Sequence, residues 1–157
     1  MIIVIAGQKR SGSTAQYNMV RLVLGAAYGD VYLWGSQMPN KKGVHLVKRH
    51  GFDKKLFDSA KYVFTTTRPQ NEVEQSMKAI LGHVENIDYH SLIQWREKSV
   101  NQEYNDILNN PLKCIEEIIQ TLNVEVDANE ILKKFNDIKP PKHGQDIITL
   151  LYHNHRR

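Results

Sequence analysis

Three stretches of this sequence carry residues whose types and spacing suit chemistry on anions. The first, Gly7-Gln8-Lys9-Arg10-Ser11-Gly12-Ser13-Thr14, follows an apolar run over residues 2–6. A glycine toward each end lets the chain turn tightly and brings main-chain amides close to an oxyanion. A helix starting at Ser13 would aim its first amides, and the positive end of its dipole, at that anion. The second stretch is Arg68, just past a strand-like segment over 62–66, with Ser76 eight residues later. If Pro69 opens a helix, Arg68 lies at the carboxyl edge of a sheet and Ser76 faces the same side from two turns in. A guanidinium and a hydroxyl so placed make a second phosphate site. The third is Lys48-Arg49-His50 after the apolar segment 44–47. It offers a cation and an imidazole, the side chain whose unperturbed pKa of about 6.5 lies nearest neutrality.

The first loop has the spacing of the common nucleotide-phosphate loop, with one departure. Ser13 stands where that motif has the lysine that spans β- and γ-phosphates. The end of segment 62–66 also lacks the aspartate that helps hold magnesium in such proteins. Both features point away from triphosphate hydrolysis and toward a nucleotide bound by its phosphates. Plainer readings exist for each group: a glycine turn for the loop, an ion pair for Arg68, a helix-surface hydroxyl for Ser76, a solvated charge for Lys48 and a surface-loop imidazole for His50.

The elements that would position these groups alternate between strand and helix, the pattern of a parallel sheet covered by helices. Strands are expected at 2–6, 31–34, 44–47 and 62–66, with a weaker one at 100–104. Helices are expected at 13–24 and from Pro69 to about Leu81. Asn110 and Pro111 form a cap and first turn, followed by Leu112, Ile115, Ile118, Ile119 and Leu122 at helical spacing. Asp127 caps a further helix with Ile131, Leu132 and Phe135 inward, ended by Pro140 and Pro141. Residues 84–98 are ambiguous between helix and strand. Segment 142–157 carries an apolar knot, 147–151, between basic ends.

The bulk numbers fit one domain spanning 1–157, with 41% hydrophobic and 24% charged residues and no repeat or long linker. A net charge of +4 and a pI of about 9.1 fit a polyanionic small ligand as well as nucleic acid, for which no motif is present. Cys114 is the single cysteine, which excludes an internal disulfide and a multi-cysteine zinc site and points to a reducing, cytoplasmic setting. The apolar start is too short for a signal peptide, and no segment approaches the roughly 20 apolar residues of a membrane span.

Taken together in their order, these segments resemble the P-loop sulfotransferases, which use 3'-phosphoadenosine 5'-phosphosulfate. Arg10-Ser11-Gly12-Ser13-Thr14 matches the family's first loop. Arg68 and Ser76 match the spacing of its Arg and Ser. Lys48-Arg49-His50 looks like its Lys-x-His segment, and Tyr104-Asn105-Asp106-Ile107 before Asn110-Pro111 is similar to its Tyr-Glu-Asp-Leu stretch. The resemblance implies a three-layer α/β P-loop fold with a mainly parallel sheet. It also implies that Lys9, Arg10, Ser11, Gly12, Ser13 and Thr14 bind the 5'-phosphosulfate while Arg68 and Ser76 bind the 3'-phosphate. Arg10 would stabilise the leaving oxygen, Lys48 would touch the transferred sulfuryl group, and His50 would act as general base. The donor would leave as adenosine 3',5'-bisphosphate, the acceptor would be a small molecule or glycan, and no metal is required. Three features depart from the family: the chain is short, Asn105 replaces an acid, and Lys142-His143-Gly144 only loosely matches the late glycine-rich basic loop. A nucleotide-binding protein without turnover and a small nucleotide kinase remain alternatives.

Other residues invite plainer readings. Cys114, Trp34 and Trp95 fit core or rim packing, with an acceptor pocket as the alternative for the two tryptophans. Lys41-Lys42 reads as a solvated turn. His153 and His155 alternate, as two ligands on an extended tail would, but with no clear third ligand they read as part of a solvated or nucleotide-covering tail.

Overall fold

The computed structural model describes residues 1–34 and 42–155. Lys41 therefore lies outside the described residues. Five strands, β1 (Ile2–Ile5), β2 (Val31–Trp34), β3 (Val44–Lys48), β4 (Tyr62–Thr67) and β5 (Ser99–Glu103), form one sheet in the order β2-β3-β1-β4-β5. Every pairing is parallel. The expectation of a mainly parallel sheet is met by one that is entirely parallel. Helices cover it: α1 (Ser13–Tyr28), α2 (Lys54–Ser59), α3 (Gln70–Leu81), α4 (Tyr89–Arg96), α5 (Tyr104–Asn109), α6 (Pro111–Leu122) and α7 (Ala128–Asp137).

The side-chain alternation of β1 divides the core between the two faces of the sheet. Ile3 and Ile5 pack with α1, α6 and α7 through Val20, Leu24, Ile115, Ile118 and Phe135. Val4 and Ala6 join Val47, Val63, Leu56 and Trp95 on the other face. A strand buried on both sides must be apolar throughout, which is why 2–6 reads as an unbroken run. Trp95 is fully buried there beside Phe52 and Phe57, so it packs in the core and not at a ligand site. Cys114 is buried on the opposite face.

Several boundaries differ from the sequence expectation for local reasons. Helix α1 continues past Leu24 to Tyr28, ending at Gly29 with φ of 77°. Pro69 is the cap of α3, which starts at Gln70. Tyr104 opens α5 and does not close β5. Helix α7 stops at Asp137, before the two prolines. The ambiguous stretch contains α4, whose cap Asp88 accepts from the Ser91 amide at 3.0 Å and the Ser91 hydroxyl at 2.6 Å. Helix α2 was not legible because it buries one apolar side chain, Leu56. The 147–151 knot is not a packed unit: Leu151 is buried while Ile147 is 83% exposed. No helix among the described residues is long and apolar enough to cross a membrane.

Sheet order decides where a site can form. Strand β1 pairs with β3 on one side and β4 on the other, so the chain reverses its direction of travel across the sheet at β1. Ligands of open α/β sheets bind at such a reversal, beyond the carboxyl ends of the strands. Ile5 sits opposite both Lys48 and Phe64. The exits of all three strands therefore converge.

Asp127 caps α7 by accepting from the amides of Asn129 and Glu130 at 2.9 and 3.3 Å. Asp127→Ala should lower unfolding free energy by about 1 kcal/mol in chemical denaturation, and Asp127→Asn by much less. Equal stability of the alanine variant and the parent would show that this cap contributes nothing.

Candidate functional site

The loop between β1 and α1 is built on two glycines with separate reasons. At Gly7 a β-carbon would lie 2.1 Å from the Thr66 hydroxyl and 2.9 Å from Ser13, so only glycine lets the loop cross β4 this closely. Gly12 has φ of 90°, a left-handed conformation, and lies under the ring of Tyr104. The Ser11 hydroxyl points inward. It donates to the Gln8 carbonyl at 2.6 Å and lies 2.7 Å from the Thr66 hydroxyl. Ser11 can thus face a ligand only through its backbone.

Arg10 has φ of 61°, uncommon for a residue with a side chain, and neighbours hold it there. Its carbonyl accepts from Arg68 Nη1 at 3.0 Å, and its Nε donates to Ser76 Oγ at 3.0 Å. Arg68 also pairs with Glu72 at 3.2 Å and stacks on the Tyr104 ring at 3.9 Å from the centroid. The two stretches that suggested separate oxyanion sites are therefore in direct contact. Lys48, the last residue of β3, donates from Nζ to Thr14 Oγ1 at 2.7 Å. A lysine thus reaches the loop's hydroxyl from a neighbouring strand, although the loop itself has Ser13 at the usual lysine position. Lys9 points to the rim, where it pairs with Glu85 at 2.9 Å.

His50 lies with Nδ1 2.6 Å from the Gly7 carbonyl oxygen. A carbonyl only accepts, so Nδ1 carries the proton and Nε2 presents a lone pair. Burial, then the charge of Lys48, lowers its pKa to about 4, against the smaller opposing effect of the Gly7 bond. Lys48 is itself lowered to about 8, by burial first and by Arg10 second. Arg10 is lowered by burial and by Arg68. These cations crowd one another, and an anion placed among them would relieve the repulsion.

Lys9, Arg10, Gly12, Ser13, Thr14, Lys48, His50 and Arg68 line one cavity of about 950 Å³, near the upper end of small-ligand pockets at roughly 300–1,000 Å³. Ser76 touches it through Arg10. Its only carboxylate among the described residues is Glu85, already bound by Lys9, so the donor set suits an anion better than a metal. Met77, Ile80, Leu81 and Leu108 form an apolar wall. Sequence reasoning missed Tyr104 as a stacking partner, Thr66 as the loop's support and Asn18 as an anchor of the tail. Only Tyr104 had a signal, its place in the Tyr-Asn-Asp-Ile stretch. Trp34 lies apart from the cavity and donates to His45 Nδ1 at 2.9 Å.

No protein-family model matches this chain, and no curated protein does. Among solved structures, mouse sulfotransferase SULT7A1 complexed with PAP has a similar fold, with a TM-score of 0.63 at 11% sequence identity. The similarity covers 87% of this chain and 62% of that one. The chain has the three-layer α/β arrangement of the sulfotransferase P-loop fold, spanning less than two thirds of that neighbour's length.

His50 supplies a pH test. Its folded pKa is depressed from 6.5 to about 4, so the unfolded chain binds more protons between those values and stability falls as pH drops through that window. His50→Asn keeps a donor for the Gly7 carbonyl and removes the titration. Between pH 7 and pH 5 the parent should lose about 1 kcal/mol more unfolding free energy than the variant, allowing for screening at a partly exposed ring. Parallel pH profiles would contradict the burial of a neutral ring.

Proposed function

We propose that this chain is a sulfotransferase moving a sulfuryl group from 3'-phosphoadenosine 5'-phosphosulfate to a hydroxyl or amine acceptor on a small molecule or glycan. The observation that carries the reading is the 3.0 Å contact between Arg68 and the Arg10 carbonyl, which joins the strand-end guanidinium to the glycine loop on the wall of one nucleotide-sized cavity. The fold shared with a PAP-bound sulfotransferase supports it. The reading takes residues 1–157 as one cytoplasmic domain.

In this reading the backbone amides of Ser11 to Thr14 and the Thr14 hydroxyl hold the 5'-phosphate, with Lys9 at the rim. Arg68 and Ser76 hold the 3'-phosphate, exchanging their contacts with Arg10 for contacts with its oxygens. Arg10, freed from Ser76, turns to the oxygen that bridges phosphorus and sulfur. Lys48 binds the sulfuryl oxygens. His50 Nε2 takes the acceptor's proton as its oxygen or nitrogen bonds to sulfur and the bond from sulfur to the bridging oxygen breaks. The electron pair stays on the 5'-phosphate of adenosine 3',5'-bisphosphate, where Arg10 and the amides stabilise it. A pKa of about 4 leaves His50 unprotonated at neutral pH. A bound polyanion offsets Lys48 and Lys9 and raises that pKa toward the range where a base works best.

The 2.7 Å contact of Lys48 with the Thr14 hydroxyl favours a second reading, a small nucleotide kinase with its phosphate-spanning lysine supplied by β3. Calorimetric titration separates the two. Adenosine 3',5'-bisphosphate should bind more tightly than ATP with magnesium, and the reverse order would favour the kinase. Arg68→Ala should weaken the bisphosphate at least about tenfold while leaving 5'-AMP nearly unchanged, as loss of a charge-assisted contact to one phosphate requires. Equal weakening of both ligands would remove the 3'-phosphate role.

His50→Ala should lower turnover by about 10²- to 10⁴-fold with bisphosphate affinity largely kept. Turnover at the parental rate would end its assignment as the base. Tight bisphosphate binding by a parent protein that transfers nothing would favour a binding protein without turnover.

A further inference from the structure

The segment after α7 folds back over the site and is fixed to α1. Asn18 Nδ2 donates to the Thr149 carbonyl at 2.8 Å, and the Tyr17 hydroxyl to the Ile148 carbonyl at 3.2 Å. Asp146 stiffens the turn, accepting on Oδ1 from the amides of Ile148 and Thr149 at 2.8 and 2.9 Å. Gln145 and Tyr152 bridge antiparallel across it. The result is a closed loop that delivers His155 to the wall of the cavity lined by Arg10, Lys48 and His50. His153, two residues earlier, is exposed and does not line it.

The tautomer of His155 follows from its bonds. The Tyr152 amide donates to His155 Nδ1 at 3.0 Å, and the His155 amide returns a bond to the Tyr152 carbonyl at 3.0 Å. The two rings meet edge to face with centroids 5.6 Å apart. An amide only donates, so Nδ1 is bare and the neutral ring carries its proton on Nε2. His50 is locked the opposite way by the Gly7 carbonyl. One cavity therefore holds two imidazoles of opposite tautomer, one presenting a lone pair and the other a proton. Burial first, then Arg10 and Lys48, lowers the His155 pKa to about 4, which puts those two cations close enough to repel a charge on it.

We propose that His155 is a further ligand-binding residue, whose Nε2–H donates to an oxygen of the anionic group held between Arg10 and Lys48. The ligand class is a phosphate or phosphosulfate carried at the 5' end, and the proposal rests on the reading of the site as a nucleotide-binding one. The donor's place on a separately anchored segment means that the tail completes the cradle and is not only a cover.

Two isosteres separate binding from loop structure. His155→Asn keeps an acceptor for the Tyr152 amide but removes the donor from the cavity. His155→Gln keeps an amide donor near Nε2 and removes the acceptor. Affinity for adenosine 3',5'-bisphosphate should fall about ten- to a hundredfold in the Asn variant and less than about threefold in the Gln variant, as for loss of one charge-assisted hydrogen bond. Parental affinity in the Asn variant, or equal losses in both, would overturn the proposal.

Imidazole nitrogen resonances of the parent, followed as inorganic pyrophosphate is added, supply a readout independent of the nucleotide. His155 should start as the Nε2–H tautomer and shift on addition. A shift with pyrophosphate in a protein that ignores adenosine 3',5'-bisphosphate would sink the nucleotide reading and leave the His155 donor standing. Unmoved His155 nitrogens would sink the donor whatever the nucleotide does.

Discussion

Gly7 meets the Thr66 hydroxyl where a β-carbon would come within 2.1 Å of it, and this contact brings the β1 exit onto β4. Three consequences follow from one missing side chain. Thr66 is left within 2.7 Å of the Ser11 hydroxyl, which fixes the middle of the loop. The Gly7 carbonyl, on the same residue, accepts a hydrogen bond from His50 Nδ1–H and so decides which imidazole nitrogen is free. Arg10 is then held in its left-handed conformation next to Arg68. Backbone proximity at one glycine thus sets loop shape, histidine tautomer and guanidinium position together.

The second constraint is electrostatic. Arg10, Lys48 and Arg68 converge at the carboxyl edge of a parallel sheet, and each of the first two is pushed toward its neutral form by burial and by a cationic neighbour. Surrounding polar groups hold the cluster together: Ser76 and Thr14 accept from Arg10 and Lys48, Tyr104 offers its ring face to Arg68, and Glu72 pairs with it. A protein gains nothing in folding stability from crowding like charges, so such arrangements mark binding sites more often than structural ones. In the proposed reading, oxygens of the ligand's phosphosulfate replace Ser76 and Thr14 as partners of Arg10 and Lys48.

Much of this was legible in the sequence because the signals are local. A short unbroken apolar run ended by glycine suits a doubly buried strand, and a glycine-flanked loop leading into a helix has few alternatives. Helical spacing puts Arg68 and Ser76 on one side once Pro69 is read as a helix start, and the two meet through Arg10, by its carbonyl and its Nε. What was not legible depends on tertiary contact. Helices α2 and α4 are short, and α4 sets Leu92 and Trp95 inward while Ile93 stays 61% exposed, so no clear period emerges. The apolar letters of 147–151 suggested a packed knot, but anchoring of that segment comes from its carbonyls bonding to Tyr17 and Asn18, which no periodicity encodes. Likewise, Tyr104 could be placed in a motif, but its stacking on Arg68 needed the turn from β5 into α5.

The place of Lys48 shows why the loop sequence alone misleads. With Ser13 in the lysine position, the loop looks stripped of its phosphate-spanning lysine, yet Lys48 Nζ lies 2.7 Å from the very hydroxyl such a lysine adjoins. A lysine within the loop is carried by the helix terminus and moves with it. One at the end of β3 is fixed instead by the sheet, through the pairing of Lys48 with Ile5. His50 follows two residues on, in the bend after β3, where the Gly7 carbonyl holds its ring beside the same strand exit. In the proposed transfer, Lys48 and His50 would serve the side of the sulfuryl group where the acceptor approaches, while Arg10 would serve the side it leaves. On that reading, a lysine from β3 and an arginine from the loop divide charge stabilisation between the two faces of in-line transfer, a division that one loop lysine reaching across the phosphates does not make.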